Sequence, residues 1–220
     1  MRSFTARYLD PGSYMGELLF GLIMTLTFTL AAGMVIDEEG RAGAREMLVG
    51  ILGCNLAWGI IDGVLYVLGR VFERGRLRRA GFDVRQATSE AEARGFVAKE
   101  LDELLVPATD EATRQALYGA VVRQLRDAPL ETNRVRRDDL LGGLASGWIV
   151  FACSFPALLP FLFFDDLNFA LRVSNGILLA LLFVAGYHHA RHTLAKPWLA
   201  GLVFLLAGVF LVAIAIPLGG

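Results

Sequence analysis

Cysteine is scarce in this chain: Cys54 and Cys153 are the only two among 220 residues. Each lies inside an apolar run, which excludes a disulfide framework or a CxxC metal clasp. Charge is scarce as well. Only 20% of residues are charged, and 21 basic against 22 acidic side chains leave a net charge of -1. Such a chain has no overall attraction for nucleic acid. No Gly-x-Ser-x-Gly, Walker-type loop, HExxH or dinucleotide fingerprint stands in a usable context, so no enzyme class is indicated. Asp165 and Asp166 are adjacent and would point apart on a helix, which gives paired-carboxylate catalysis little support. No repeat of fixed period and no low-complexity tract is present.

What is abundant is apolar surface. Hydrophobic residues make up 55% of the chain, against about 45–50% in soluble proteins. The charge that exists is concentrated, with 13 of the 22 acidic and 14 of the 21 basic residues between Arg70 and Asp139. The pattern is an oily protein with a charged middle.

A bilayer core of about 30 Å needs about 20 apolar residues in a helix. Five segments answer that requirement. Leu18–Ile36 carries no charge, and Met47–Gly69 carries only Asp62. Leu141–Phe164 contains Pro156 and Pro160, which predict a kink. Phe169–Tyr187 has Arg172, Ser174 and Asn175 in its first two turns, and Trp198–Leu218 has Trp198 and the preceding Lys196 as interfacial anchors. Arg2 and Arg7 before the first run resemble the basic start of a signal peptide. Its 19 apolar residues exceed the about 7–15 of such a segment, which favours a retained helix. With the N-terminus in the cytoplasm, 18 of the 21 Lys and Arg residues lie inside, as the positive-inside rule requires. The expected fold is an all-α polytopic membrane protein of a prokaryotic inner membrane. Residues 1–70 hold spans one and two, 71–139 a helical cytoplasmic insert, and 140–220 spans three to five, with the C-terminus outside.

Within the insert, span two is expected to run on through VFERGRLRR to a stop at Gly81. Its arginines suit anionic lipid headgroups better than nucleic acid. Ser89 and Glu92 form a capping-box pattern. Ala93, Phe96, Val97, Leu101, Leu104 and Leu105 then recur at helical spacing. Pro107 ends that helix, and Thr109 can cap a second one with a Leu117, Val121, Leu125 stripe and Tyr118 and Val122 beside it.

An ionisable group inside a span costs about 2.5–3.5 kcal/mol and is a functional candidate for that reason. Asp62 is the clearest. Asn55 lies seven residues earlier on the same face, with Gly59 opening the surface between them. Oxygen donors in one stripe suit a cation, and a carboxylate can also carry a proton. The alternative is an interhelical hydrogen-bond clamp. Glu17, Gly21 and Met24 share a stripe on the first span, next to Thr25 and Thr29, whose hydroxyls can bond back to the helix. Gly59 with Gly63, and Gly143 with Gly147, have the spacing of close helix contacts. His188 and His192, one turn apart, could share a transition metal. In the insert, Glu100 and Glu103 are helical neighbours within an acidic group that could collect divalent ions or simply face solvent.

The order of two spans, a charged helical insert and three further spans resembles the vacuolar iron transporter family. The stretch ELLFGLIMTLTFTLAAG is similar to that family's first helix, which opens with an acid and a Phe-Gly pair, matched here by Glu17, Phe20 and Gly21. GILGCNLAWGIIDG resembles its small-residue second span. The resemblance implies a homodimer that moves ferrous or related divalent ions, such as manganese, in exchange for protons, with no tightly bound cofactor. It also implies metal-binding glutamates in the insert, for which Glu92, Glu100 and Glu103 are the candidates. The family's further aspartate on the first helix falls at Met24, and Asp62 is the carboxylate that would take over its work. A non-transporting membrane protein whose insert docks a partner is the alternative.

Overall fold

The computed structural model describes residues 4–31, 36, 39–127, 129, 132–192 and 194–215. Among these, all regular structure is helical: α1 Phe4–Tyr8, α2 Pro11–Ala31, α3 Arg41–Gln86, α4 Glu90–Leu105, α5 Glu111–Asp127, α6 Arg137–Ala152, α7 Phe155–Phe163, α8 Leu167–His189 and α9 Pro197–Ala215. A short 3₁₀ turn, Ala190–His192, follows α8. Pro11–Ala31, Arg41–Gln86, the paired α6–α7 segment Arg137–Phe163, and Leu167–His189 are each long and apolar enough to cross a membrane. The chain is thus a polytopic helical membrane protein. A fifth apolar helix, α9, falls short of that length over its fully described stretch Pro197–Leu211.

The residues divide into two compact units. One comprises Met1–Val67 with Arg137–Gly220, the other Leu68–Arg136. In the first, Asp10 starts α2: its carboxylate accepts from the backbone N–H of Gly12 and Ser13 at 2.9 and 3.0 Å. Bonds from Ser13 hold that carboxyl below the usual range. Leu22 and Leu26 of α2 pack with Cys153, Ala157, Leu178 and Leu182 to form a core between α2, α6–α7 and α8. A second core joins Ala44, Met47 and Ile51 of α3 to Leu171 of α8. Gly40, at φ +58°, makes the left-handed turn that admits the chain to α3.

The expected kink in the third span is a break. Helix α6 ends at Ala152 and α7 begins at Phe155, with Pro156 in its first turn. Pro156 has no N–H for the carbonyl four residues earlier, and its ring crowds that carbonyl. Pro160, in contrast, sits inside α7 without ending it. The Ala157 carbonyl accepts a bond from Ser174 Oγ of α8 at 3.0 Å.

The two glycine pairs meet each other. A Cβ on Gly147 would lie 2.2 Å from the Gly59 carbonyl oxygen, and one on Gly143 would lie 2.5 Å from that of Gly63. Helices α3 and α6 therefore touch backbone to backbone, as close small-residue crossings do. On its other side α3 is open. Only 17% of its apolar window is buried, against 39% for α2, α6–α7 and α8, so a wide apolar face is left for lipid or protein.

The second unit corrects three expectations. Gly81 does not stop α3, which continues helically to Gln86. Fully buried Val84 lies beyond it and packs on Ala93, Val97, Tyr118 and Val122, and that burial outweighs a single glycine's weak helix propensity. On α5 the buried residues are Tyr118, Gly119 and Val122, while Leu117 of the expected stripe is exposed. The tyrosine decides the face, because its hydroxyl donates to Asp102 of α4. Asp110 rather than Thr109 caps α5, accepting from Thr113 N–H at 2.7 Å, while Thr109 Oγ1 bonds back to Leu105. The Ser89 cap forms as expected, with its side chain accepting from Glu92 N–H at 3.1 Å. The two amphipathic helices pack on each other.

Candidate intramembrane carboxylate site

Three helices of the first unit bring polar groups to one place. Glu17 lies in the second turn of α2, Asp62 in mid-α3 and Ser146 in mid-α6, where the glycine crossing brings α6 against α3. Ser146 Oγ donates to Glu17 Oε1 at 2.6 Å. The carboxyl groups of Glu17 and Asp62 lie near enough for each to act electrostatically on the other. Two carboxylates that close repel each other unless a proton or a cation lies between them. Asp62 Oδ2 is buried and has no hydrogen-bond partner among the described residues.

Two turns away on α3, Asn55 is fully buried, at 0% exposure. Its amide nitrogen donates to Thr25 Oγ1 at 2.8 Å and, more weakly, to the Val150 carbonyl at 3.3 Å. Thr25 in turn donates to the Gly21 carbonyl at 2.8 Å. Asn55 Oδ1 is left without a partner among the described residues, which costs about 1–3 kcal/mol for a buried acceptor. The α3 stripe thus presents two unsatisfied oxygens, Asn55 Oδ1 and Asp62 Oδ2, seven residues or about 10 Å apart along the axis. Met24 sits beside this stripe, and its Sδ accepts from Cys54 Sγ at 3.5 Å. Phe20 packs edge-on against Trp58, with ring centroids 5.4 Å apart. Gly21 lies where a Cβ would be 2.9 Å from that of Cys153.

Sequence reasoning missed Ser146. The signal available was a hydroxyl residue inside the Gly143–Gly147 spacing, on a helix that touches α3 backbone to backbone. The mutual approach of Glu17 and Asp62 had no local signal, because it depends on how α2 and α3 pack.

The candidate acids of the second unit have other engagements. Glu92 Oε2 accepts from both the N–H and the hydroxyl of Thr88, each at 2.7 Å, completing the helix cap. Those two bonds hold its carboxyl below the usual range. Glu100 pairs with Arg76 at 3.4 Å, and Glu103 is exposed. Among the described residues, no three His, Cys, Asp or Glu side chains gather to hold a metal ion. His188 lines an apolar cavity of about 480 Å³ with Tyr14, Trp148 and Cys153, among others. The His192 side chain, its expected companion, lies outside the described residues. Asp166 caps α8 through Phe169 N–H at 3.1 Å, while Asp165 pairs with Arg41 at 3.0 Å.

A family model described as the VIT family matches residues 81–220. No curated protein and no solved structure matches the chain.

Proposed function

Because the chain belongs to the VIT family, whose members move metal ions across membranes, we propose that it transports divalent cations, iron or manganese, in exchange for protons. The observation that carries this reading is the meeting of Glu17 and Asp62 inside the membrane unit, with Ser146 on Glu17 and an Asp62 oxygen unsatisfied. A carboxyl pair can hold one proton or one divalent cation, and exchange between those states is the elementary step of a metal–proton antiporter. Asn55 supplies an oxygen farther along the same face, and Met24 a thioether beside it. Glu92, Glu100 and Glu103 would act earlier, attracting cations to the insert. His188 and His192 remain weaker candidate ligands at the end of α8.

The transporter is proposed to have five spans, α9 being the last, with the N-terminus and insert cytoplasmic and the C-terminus outside. A prokaryotic inner membrane is the proposed location. The mostly unburied apolar window of α3 is the face on which a second copy would pack in the proposed homodimer. No resident cofactor is required by this mechanism.

The test is uptake of Fe²⁺ or Mn²⁺ into proteoliposomes under an imposed pH gradient. Wild-type protein should take up metal and release protons, and Asp62→Asn should abolish flux while leaving the melting temperature intact. Undiminished flux through Asp62→Asn would remove the carboxyl pair from the mechanism.

A further inference from the structure

Asn55 and Met24, which flank the carboxyl pair's face, also belong to a cluster of a different chemical kind. Cys54 and Asn55 are neighbours on α3, and Met24 and Thr25 are neighbours on α2. They meet as two parallel rungs. Cys54 Sγ lies 3.5 Å from Met24 Sδ, and Asn55 Nδ2 lies 2.8 Å from Thr25 Oγ1. The Asn55 amide is held by its nitrogen, so its oxygen is left over, fully buried and without a partner among the described residues, one residue along α3 from Cys54. None of these groups takes part in the Glu17–Asp62–Ser146 contact.

We propose that Cys54 and Met24 form a binding locus for soft, thiophilic cations, with the Asn55 carbonyl oxygen as an adjoining donor. The sulfur spacing fits. With metal–sulfur bonds of about 2.3 Å and a tetrahedral angle, two sulfur ligands stand about 3.8 Å apart. The observed separation of 3.5 Å therefore needs to widen by only a few tenths of an ångström to admit an ion. Thiolate and thioether ligands select soft ions, whereas carboxylates and carbonyls suit hard ones. The two loci of one membrane unit thus differ in preference, oxygen-rich at Asp62 and sulfur-rich at Cys54. Binding breaks the S–H bond of Cys54: the thiolate electron pair goes to the metal and the proton to solvent, so one proton is released per ion bound. No electron changes hands.

The locus does not depend on the transport reading, since it could bind a soft ion in a protein that transports nothing. The test uses the whole chain, purified in detergent, with Cd²⁺ as the probe. Cadmium should produce the ultraviolet thiolate-to-metal absorption band, saturating at one ion per chain, and Mg²⁺ in large excess should not compete. Cys54→Ser should abolish the band and Cys153→Ser should leave it. Met24→Leu should weaken binding at least tenfold. X-ray absorption at the cadmium edge of the unaltered protein should report two sulfur neighbours, which keeps the proposal falsifiable even where a variant fails to fold. A first shell of oxygen and nitrogen alone, or a full band in Cys54→Ser, would overturn it. Asp62→Asn should keep the cadmium band while losing Mn²⁺ flux, so failure here and failure of the transport mechanism are told apart.

Discussion

At the residue scale, the carboxyl pair makes demands that a lone acid would not. Ser146 donates to Glu17, so removing that hydroxyl leaves a carboxyl acceptor short of one bond, an effect of about 1–3 kcal/mol. Ser146→Ala is therefore expected to cut Mn²⁺ uptake about tenfold or more, whereas Asp62→Asn should remove it. If the two acids act as one unit, Glu17→Gln combined with Asp62→Asn should be no worse than Asp62→Asn alone, as expected of residues that function together. Additive losses in initial uptake rates would show that they work separately. Asp62 and Asn55 were legible as a stripe because a seven-residue spacing is two helical turns. Their partners on other helices were not, since a single chain read in order carries no register between helices.

At the element scale, the α3–α6 crossing tolerates no side chain. Gly147→Ala would drive a methyl group to 2.2 Å from the Gly59 oxygen, and the helices must separate. A loss of several degrees in melting temperature is expected, together with reduced uptake, because Ser146 moves with α6. Gly53, also on α3, is different: a Cβ added there would meet nothing within 4 Å. Gly53→Ala is expected to be neutral or stabilising by up to about 1 kcal/mol, the difference in helix propensity. Equal melting shifts for the two variants would argue against a tight crossing. The sequence announced the glycine pairs by their spacing but left open whether they met each other or a second subunit.

The cap of α4 makes a separate prediction. Ser89→Ala should cost the second unit about 1 kcal/mol in thermal or urea unfolding. The depressed carboxyl of Glu92 stabilises the folded state above the ordinary glutamate range, and that contribution is lost as pH falls through its lower folded value. Glu92→Gln should therefore flatten the acid side of the stability profile. An unchanged acid limb would mean that the Thr88 bonds carry no weight. Here the sequence was informative, because a capping box is a local pattern. It was less so at Gly81 and Leu117, where tertiary burial of Val84 and Tyr118 overrode local preference.

At the scale of the whole molecule, the chain divides between an apolar unit and a smaller one with its own core of Val84, Ala93, Val97, Tyr118 and Val122. Residues 68–136 expressed alone are expected to be helical by circular dichroism and to melt cooperatively. Tyr118→Ala, which deletes a buried ring and its bond to Asp102, should lower the midpoint sharply. A non-cooperative melt of the unaltered fragment would mean that this core needs the membrane unit. Reporter fusions test the topology: a reporter active only in the cytoplasm should work when inserted near residue 108 and fail at the C-terminus. Hydropathy, a property of segments, sets the expected insert at 71–139, and the compact unit spans Leu68–Arg136. Helices α4 and α5 share the core of that unit with the end of α3.

The backbone contact at Gly59–Gly147 has one more consequence. Where two main chains touch with nothing between them, the gap is set by covalent geometry, and no rotamer can lengthen or shorten it. The crossing is in effect a fixed ruler carried inside the protein. Selection can exchange the functional groups mounted along it, an oxygen ligand for a sulfur or one acid for another, without resetting the distance across which they act. Chemical preference in such a framework is free to drift while its dimensions are inherited.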